Sequence, residues 1–439
     1  MIMDTYKFRL YPTEDQKILL RKHFGCVRFV YNWALEFNQK LYASGQKYKN
    51  YIAINCDGDL YRLKDEHEWL KEVNSQSLVS SIGHLDRAYT NFFKGYASFP
   101  KFKKKGHSTN SFEVPQHFQI DFKKSSIQIP KFCKDNQLKV RIHRHVNMDG
   151  FVKFGRATIS ENSGGQFFVS FLVYRNGELP KTVSESAIDT TNSLGFDFGL
   201  KHFLTLSDGR KFDNPEFFRR AFEKIQCESR RLSRKAKGSK NHERQRLKLA
   251  KAYLKISNQR SDFLHKLSSN LVKESQFDCF CFEDLNLEGM KKRWGRKVSD
   301  LSFQEFVGMM EYKCAREGKR FAKIGRFDPS SQICSKCGHR QKMPLSERVY
   351  VCPECGLEID RDVNAAVNIR NFGIMRILKK SKEDNHAICT AGTAGINDCG
   401  DGGSGRGDKR CGETAVGEAV KVPRGRKSIA EADALYGRR

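Results

Sequence analysis

The sequence predicts a multidomain α+β protein, on three observations. An N-terminal block carries apolar residues at helical spacing, a middle block alternates as strands do, and a third block mixes strands with long helices. The 439 residues are enough for two to four domains, so no single core has to take up the 38% of apolar residues. Two cysteine pairs lie late in the chain, in a stretch too short to bury a core of its own.

Residues 3–10 alternate as a short strand. Thr13 and Gln16 have the spacing of a capping box, and Leu20, Phe24, Val27, Tyr31 and Ala34 then recur at intervals of three and four, one face of a helix. A second helix carries Leu78, Ile82, Leu85, Tyr89 and Phe92 on one side, with Asn74 or Ser75 as its cap. Core packing accounts for both stripes. The run 99–105 interleaves Lys101, Lys103 and Lys104 with Phe99 and Phe102, a pattern that suits phosphate contact plus base stacking and equally suits a solvated basic loop.

From about 111 to 174 the pattern is of strands, for example Val140 with Ile142, Phe151 with Phe154, and 167–173. A small β-barrel or sheet is expected there, with 3–10 as a member, followed by a Ser/Thr-rich linker at 179–191. Residues 194–199 and 203–206 read as a hairpin, and Asn214-Pro215-Glu216 as a helix start with Asn as cap. A basic helical stretch follows to about 275, broken at Gly238-Ser239, with Arg230, Arg231, Arg234, Lys235 and Lys237 crowded near the break. So one-signed a cluster favours a nucleic-acid groove over a merely solvated face. Residues 277–282 form a buried strand, 302–317 a helix, and 320–324 a further strand. Past 371 the periodicity fades, and from Thr390 the Gly-rich chain is expected to be disordered.

Lys and Arg total 79 against 51 Asp and Glu, a net charge of +28. Such an excess resists compaction unless a polyanion neutralises it, and nucleic acid is the polyanion that matches. Neither a secretory signal nor a stretch of ~18 apolar residues is visible, so a membrane partner is not expected and the chain is assigned to the cytoplasm, near the nucleoid. In a reducing compartment clustered cysteines mean metal. Cys334-x2-Cys337 and Cys352-x2-Cys355 are such a cluster, with Gly338 and Gly356 next to each second cysteine. Four thiolates hold one Zn2+ tetrahedrally with no position left for chemistry, so the site is read as structural. Scattered cysteines such as Cys279 and Cys281 are read as small buried apolar residues.

Three acids stand in distinctive contexts. Asp197 lies in Gly-Phe-Asp-Phe-Gly within a strand, Glu283 directly follows the strand 277–282, and Asp362 precedes Val-Asn-Ala-Ala at a helix start. Singly, each reads as a salt-bridge partner, a strand-end acid or an N-cap. Together, carboxylates at neighbouring strand ends and a helix start can converge, and divalent cations relieve the repulsion of converging anions. Hard Mg2+ prefers oxygen ligands, and two such ions about 4 Å apart can act on a phosphodiester.

These strings resemble the TnpB proteins of bacterial and archaeal insertion sequences, relatives of type V CRISPR effectors. The resemblance runs from the N-terminus to about Phe372. It rests on Phe29-Val30-Tyr31-Asn32, the run 99–105, 195–199, Glu283-Asp284-Leu285, Ser330-Ser331-Gln332 before Cys334, and 360–366 together with the four cysteines. It implies an RNase H-like (RuvC) nuclease domain over 189–333 and 356–375, with Asp197, Glu283 and Asp362 as catalytic triad around two Mg2+ ions. Asp360 is the competing third position, and the Asn-Ala-Ala string favours Asp362. The resemblance further implies a zinc ribbon at 334–355, a wedge barrel from 1–12 and 110–188, a helical recognition domain at 13–109, and a flexible tail at 376–439. The implied activity is RNA-guided cleavage of double-stranded DNA beside a short target-adjacent motif. The implied partners are a structured guide RNA and target DNA, bound by a monomer. Expected nucleic-acid contacts are Tyr31, Asn32, Ser75, Ser77, Arg87, Lys101, Lys103, Lys104, Arg230, Arg231, Arg234 and Lys235, with the region 74–87 facing the motif. Two competing readings are a guided regulator of transposition that does not cut, which the three intact acids oppose, and a DDE-type transposase, which would join ends and need no RNA.

Overall fold

The computed structural model describes residues 1–106, 109–132, 137–141, 151–273, 275–344 and 346–391. Ile142 and the chain beyond 391 lie outside them.

The chain opens with β1 (Ile2–Tyr11), α1 (Glu14–Ala43), two short helices α2 (Tyr51–Cys56) and α3 (Asp59–Glu66), a 3-10 turn, and α4 (Ser75–Phe93). Thr13 caps α1 through the full capping box: its side chain accepts from the Gln16 N–H while the Gln16 side chain accepts from the Thr13 N–H. Asn74 caps α4 by accepting from the Gln76 N–H. The apolar stripe of α1 and that of α4, apart from half-buried Phe92, are buried in one core. That core also takes in the strands that follow: β2 (Asn110–Val114), β3 (Gln119–Asp121), β4 (Ser126–Gln128), β5 (Leu138–Arg141), β6 (Phe151–Glu161) and β7 (Phe167–Arg175).

These strands and β1 form a seven-stranded sheet in the order β2-β6-β7-β1-β5-β4-β3, with the N-terminal strand near the middle. Among the described residues β2 and β3 remain edges, so the strands form an open, curled sheet where a closed barrel was expected. Without a pairing between the two outermost strands, ladder hydrogen bonding has nothing to close on.

The second half contains β8 (Ser193–Phe198), β9 (His202–Leu206), β10 (Lys211–Asp213), α5 (Phe217–Ser233), α6 (Lys240–Lys273), β11 (Cys279–Phe282), α7 (Leu287–Trp294), α8 (Arg296–Leu301), α9 (Phe303–Arg316), β12 (Arg320–Lys323), β13 (Val349–Val351), β14 (Glu358–Asp360) and α10 (Arg361–Ala391). Its sheet runs β10-β9-β8-β11-β12, antiparallel across β10, β9 and β8 and parallel across β8, β11 and β12. One face packs on α6 and α9 through Leu194, Phe196, Phe280 and Phe282 against Leu264, Leu267, Phe306 and Met310. The other face, with Cys279 and Cys281, packs on Ile369 and Ile374 of α10. The sheet is thus covered on both sides, as parallel pairing requires.

Two expectations are corrected. α5 does not begin on an Asn214 cap: Glu216 sits in the left-handed region at φ 48° and the helix starts at Phe217. The Phe218 N–H is taken by Asp300, 3.0 Å away, an acceptor too distant in sequence to read as a cap. The ordered chain also runs past 371, because α10 continues and Phe372, Ile374, Ile377 and Leu378 pack into the core. No helix among the described residues is long and apolar enough to cross a membrane.

Candidate active site

The pleat of two neighbouring strands organises the site. Side chains alternate faces along a strand. Phe196 and Phe198 point to the α6/α9 core, so Gly195 and Asp197 point to the face covered by α10. This answers how a carboxylate can sit between two phenylalanines: it does not share their environment. Parallel pairing sets Cys281 beside Gly195 and Phe282 beside Phe196. The Phe196 and Phe282 rings stack at 4.4 Å with a 5° interplanar angle, which pins that register. One residue further along each strand are Asp197 and Glu283, side by side by the same alternation.

α10 crosses this face at two points of close approach. A Cβ added at Gly195 would lie 2.0 Å from the carbonyl oxygen of Ala366, and one at Gly373 would lie 2.4 Å from the Cys281 sulfur. Asp362 is one helical turn before Ala366, hence on the helix face that meets Gly195. Asp197 senses both other acids, although among the described residues only the four cysteines lie close enough together to form a metal-binding group. Burial, then Glu283 and Asp362, push its carboxyl well above the ordinary carboxylate value, with Arg361 opposing. Glu283 is raised by burial, against a hydrogen bond from the Ser330 hydroxyl. Among the described residues none of the three carboxylates has a Lys or Arg ion-pair partner, despite the cationic excess.

Asp360, the competing position, is engaged elsewhere. It accepts from the N–H groups of Asp362 at 3.0 Å and Val363 at 3.2 Å, which makes it the N-terminal cap of α10, and it pairs with Lys211 at 2.6 Å. Burial pushes its carboxyl up, but Lys211 and those N–H groups outweigh burial and hold it below the usual range. The capping role considered for Asp362 therefore belongs to Asp360.

Sequence reasoning missed the polar clamp beneath the site. Asn364 and Asn368, one turn apart on α10 and buried, hold the loop that leads to the cysteines. Asn368 donates to the carbonyls of Ser330 at 2.8 Å and Ile333 at 2.7 Å. Asn364 donates to Ile333 at 2.7 Å and accepts from the Ser335 N–H at 2.9 Å. Two asparagines at i, i+4 inside an otherwise apolar stripe were the available signal, since buried amides need partners.

The four cysteines close into one cluster, with ligand atoms all within 4.8 Å of one another. Sulfurs of Cys334 and Cys355 are 3.6 Å apart and those of Cys337 and Cys352 3.5 Å, close to the edge of about 3.8 Å for a tetrahedron with ~2.3 Å Zn–S bonds. The two knuckles are alike. Gly338 and Gly356 adopt φ of 79° and 68°, each donating back to the first cysteine's carbonyl at 3.0 Å. Burial works against the thiolate at Cys334, but N–H groups of Cys337 and Lys336 outweigh it and bring the thiol down to about 7. Cys352 is lowered in the same way by Cys355 and Glu354. The cluster fits a zinc ribbon, on the β13–β14 hairpin.

The residues expected to touch nucleic acid fall into two groups. Tyr31 and Ser77 are buried, at 5% and 1% exposure, because they lie on the core-facing sides of α1 and α4. Asn32 is consumed by Lys103, exchanging hydrogen bonds of 2.9 and 2.7 Å with its backbone, and the Lys103 ammonium sits 3.8 Å from the Tyr31 ring centroid. Lys64 donates to the Ser75 hydroxyl. By contrast Arg87, Lys101, Lys104, Arg230, Arg231, Arg234 and Lys235 are exposed, the last four where α5 turns into α6.

With this geometry in place, comparison with known proteins is informative. Residues 178–293 match a family described as "Probable transposase", 303–369 match the Cas12f1-like TNB domain, and 1–47 match a helix-turn-helix domain. In this chain the last segment holds a strand and one unbroken 30-residue helix. A Streptomyces pristinaespiralis protein named "Putative RNA-guided DNA endonuclease" is 35% identical over 372 residues, 84% of this chain and 89% of that one. The Escherichia coli (strain K12) protein "Putative RNA-guided DNA endonuclease InsQ" is 31% identical over 389 residues, 84% of this chain and 92% of that one. A solved "Cas12f1-sgRNA-target DNA complex" superposes with a TM-score of 0.50 at 16% identity, covering 84% of this chain and 99% of that one, a likeness of fold. Fold and cysteine cluster together define a mixed α/β multidomain protein whose fold resembles that of Cas12 effectors. The chain belongs to the TnpB family.

Proposed function

We propose that this protein is an RNA-guided DNA endonuclease that cuts double-stranded DNA beside a short motif, using Asp197, Glu283 and Asp362 in an RNase H-like (RuvC) core. One observation carries the reading. Asp197 and Glu283 extend neighbouring parallel strands by one residue each, the N-terminus of α10 lies on the same face with Asp362, and among the described residues none of the three has a Lys or Arg ion-pair partner. Uncompensated converging carboxylates cost stability, and the chemistry that redeems them is divalent-cation binding. The donor set is all oxygen, which suits Mg2+. When bound, Mg2+ would supply Lewis-acid stabilisation of the charge that develops on a phosphodiester under attack.

The chain's own residues hold that arrangement. The Phe196–Phe282 stack sets the strand register, the Ser330 hydroxyl orients Glu283, and Asp360 and Lys211 fix the start of α10. Zinc at Cys334, Cys337, Cys352 and Cys355 would order the ribbon, whose base the Asn364/Asn368 clamp joins to the helix that carries Asp362. In domain terms we assign 1–12 and 110–188 to a wedge, 13–109 to recognition, and the second sheet with α5–α10 to the nuclease. The exposed basic groups at the α5–α6 turn and Lys101 and Lys104 are assigned to the phosphates of guide RNA and target DNA. The names of the relatives and the Cas12f1 complex support those partners, and we assign the protein to the cytoplasm.

The test is Mg2+-dependent cleavage by the guide-loaded protein, with Asp197→Ala alongside. Loss of cutting in the variant with target binding retained supports the triad; equal products from both proteins remove Asp197 from it. A second reading, strand transfer by a transposase, has the printed description of residues 178–293 behind it. End joining by RNA-free protein would favour it.

A further inference from the structure

Phe327 is the most exposed large apolar side chain among the described residues, at 92%. An isolated exposed apolar residue is ordinary on a loose loop. This one is not on a loose loop. It sits in the turn 325–328 that leaves β12, and the turn is tied down around it. The Ile324 N–H donates to the Phe282 carbonyl at 2.8 Å, which fastens the end of β12 to the end of β11, one residue from Glu283. Arg326, just before the phenylalanine, pairs with Asp284 at 3.1 Å. Asp328, just after it, accepts from the Gly325 N–H at 2.6 Å. Three residues on, the Ser330 hydroxyl donates to Glu283 itself, and the Ser330 carbonyl is held by Asn368. The turn is thus indexed on both sides to Glu283 and its neighbour, while its central ring meets neither another ring nor a cation among the described residues.

We propose that Phe327 is a stacking platform for an unpaired base of the DNA strand being cut. This rests on the nuclease reading. A strand whose phosphate reaches Glu283 has to pass the adjoining turn, and once the duplex is open its bases offer flat apolar faces without partners. An aromatic ring carried on a turn that is tied to Glu283 and Asp284 takes one of those faces whatever its sequence, and so sets which phosphate lies over the metal site. The net charge of +28 supplies the attraction for the backbone, and the ring supplies the register.

The experiment compares wild type, Phe327→Ala, Phe327→Trp and Phe327→Leu as full-length, guide-loaded protein. Binding of single-stranded DNA carrying 2-aminopurine is followed by fluorescence without divalent ions, and cleavage is followed with Mg2+. Phe327→Ala is expected to weaken single-strand binding by about 5- to 150-fold, the worth of one base stack, and to raise KM more than it lowers kcat. Trp restores both, and Leu, apolar but without a flat ring, does not. Phe327→Ala binding as wild type, or Leu restoring as well as Trp, overturns the proposal. Cutting that vanishes in Asp197→Ala but is untouched in Phe327→Ala sinks the platform alone. Wild type that binds through Phe327 yet never cuts sinks the nuclease reading and with it the role in cutting, leaving Phe327 only as a base-stacking site for single strands.

Discussion

Replacing Gly195 by alanine probes the joint between sheet and helix on which the proposed site depends. The added Cβ would lie 2.0 Å from the Ala366 carbonyl oxygen, 2.7 Å from the Arg370 nitrogen and 2.9 Å from the Arg370 Cβ. Two of these are backbone atoms, so no rotamer change relieves them. Ordinary contact begins at 3.4 Å, so α10 has to lift from β8 by about 1.4 Å (3.4 less 2.0). Overpacking of this kind costs roughly 1–3 kcal/mol or more. At about 2–4 °C per kcal/mol for a module of this size, a melting decrease of roughly 5 °C is expected. Asp362 rides on the lifted helix, and a misplacement of about 1 Å costs on the order of 100-fold in rate. Differential scanning calorimetry and single-turnover cleavage by guide-loaded protein measure both effects. Gly308→Ala is the control: Gly308 is exposed in the middle of α9 with nothing within 4 Å of its would-be Cβ, and alanine there should stabilise by about 0.5–1 kcal/mol. A Gly195→Ala protein that melts and cuts like wild type would refute the close approach of helix and strand and the placement of Asp362 that follows from it.

Four further outcomes are expected. Because the folded Asp197 carboxyl is raised, its neutral form is the stable one, so metal-free protein should lose stability as pH rises from the ordinary 3.8 through the raised value; Asp197→Asn should remove that loss and melt higher than wild type at neutral pH, and an unchanged melting curve would contradict the raised carboxyl. Cys352→Ser or chelation should unfold the ribbon and slow cutting through the Asn364/Asn368 clamp; full activity without zinc would show that the ribbon is dispensable. Ending the chain after Asn371 should destabilise it by several kcal/mol, about 1.5–3 for buried Ile374 and less for each of the half-buried Phe372, Ile377 and Leu378, whereas a chain ending at Ala391 keeps them; melting that does not distinguish the two would mean the last turns of the core contribute nothing. Nucleic-acid affinity should fall steeply with salt in a filter-binding series, and a flat response would mean the excess of +28 is not spent on phosphates.

Local rules carried much of the fold. The α1 capping box, the stripes of α1 and α4, the β8–β9 hairpin and the buried β11 each follow from residues within one or two turns of one another, and each formed as read. The failures share a cause. The start of α5 is set by Asp300, 82 residues from the Phe218 N–H it accepts, and the packing beyond Asn371 by a helix face whose partners, Cys279 and Cys281, lie on another element. Tyr31 is buried with the α1 stripe that the spacing already assigns to packing, whereas the burial of Ser77 depends on contacts its neighbours in sequence do not show.

The amino-acid sequence by itself determined which residue types are available for chemistry: four cysteines at ribbon spacing, three acids in uncommon settings, and a charge that calls for a polyanion. Tertiary structure alone decided which acids are neighbours, and that the competing Asp360 is the one that caps α10. Spacing along a chain fixes contacts within a helix turn or a strand pleat, but the approach of β8, β11 and α10 depends on a ring stack between Phe196 and Phe282 and on two glycines whose missing side chains let backbones meet. Those contacts join residues far apart in the chain, and no local periodicity encodes them.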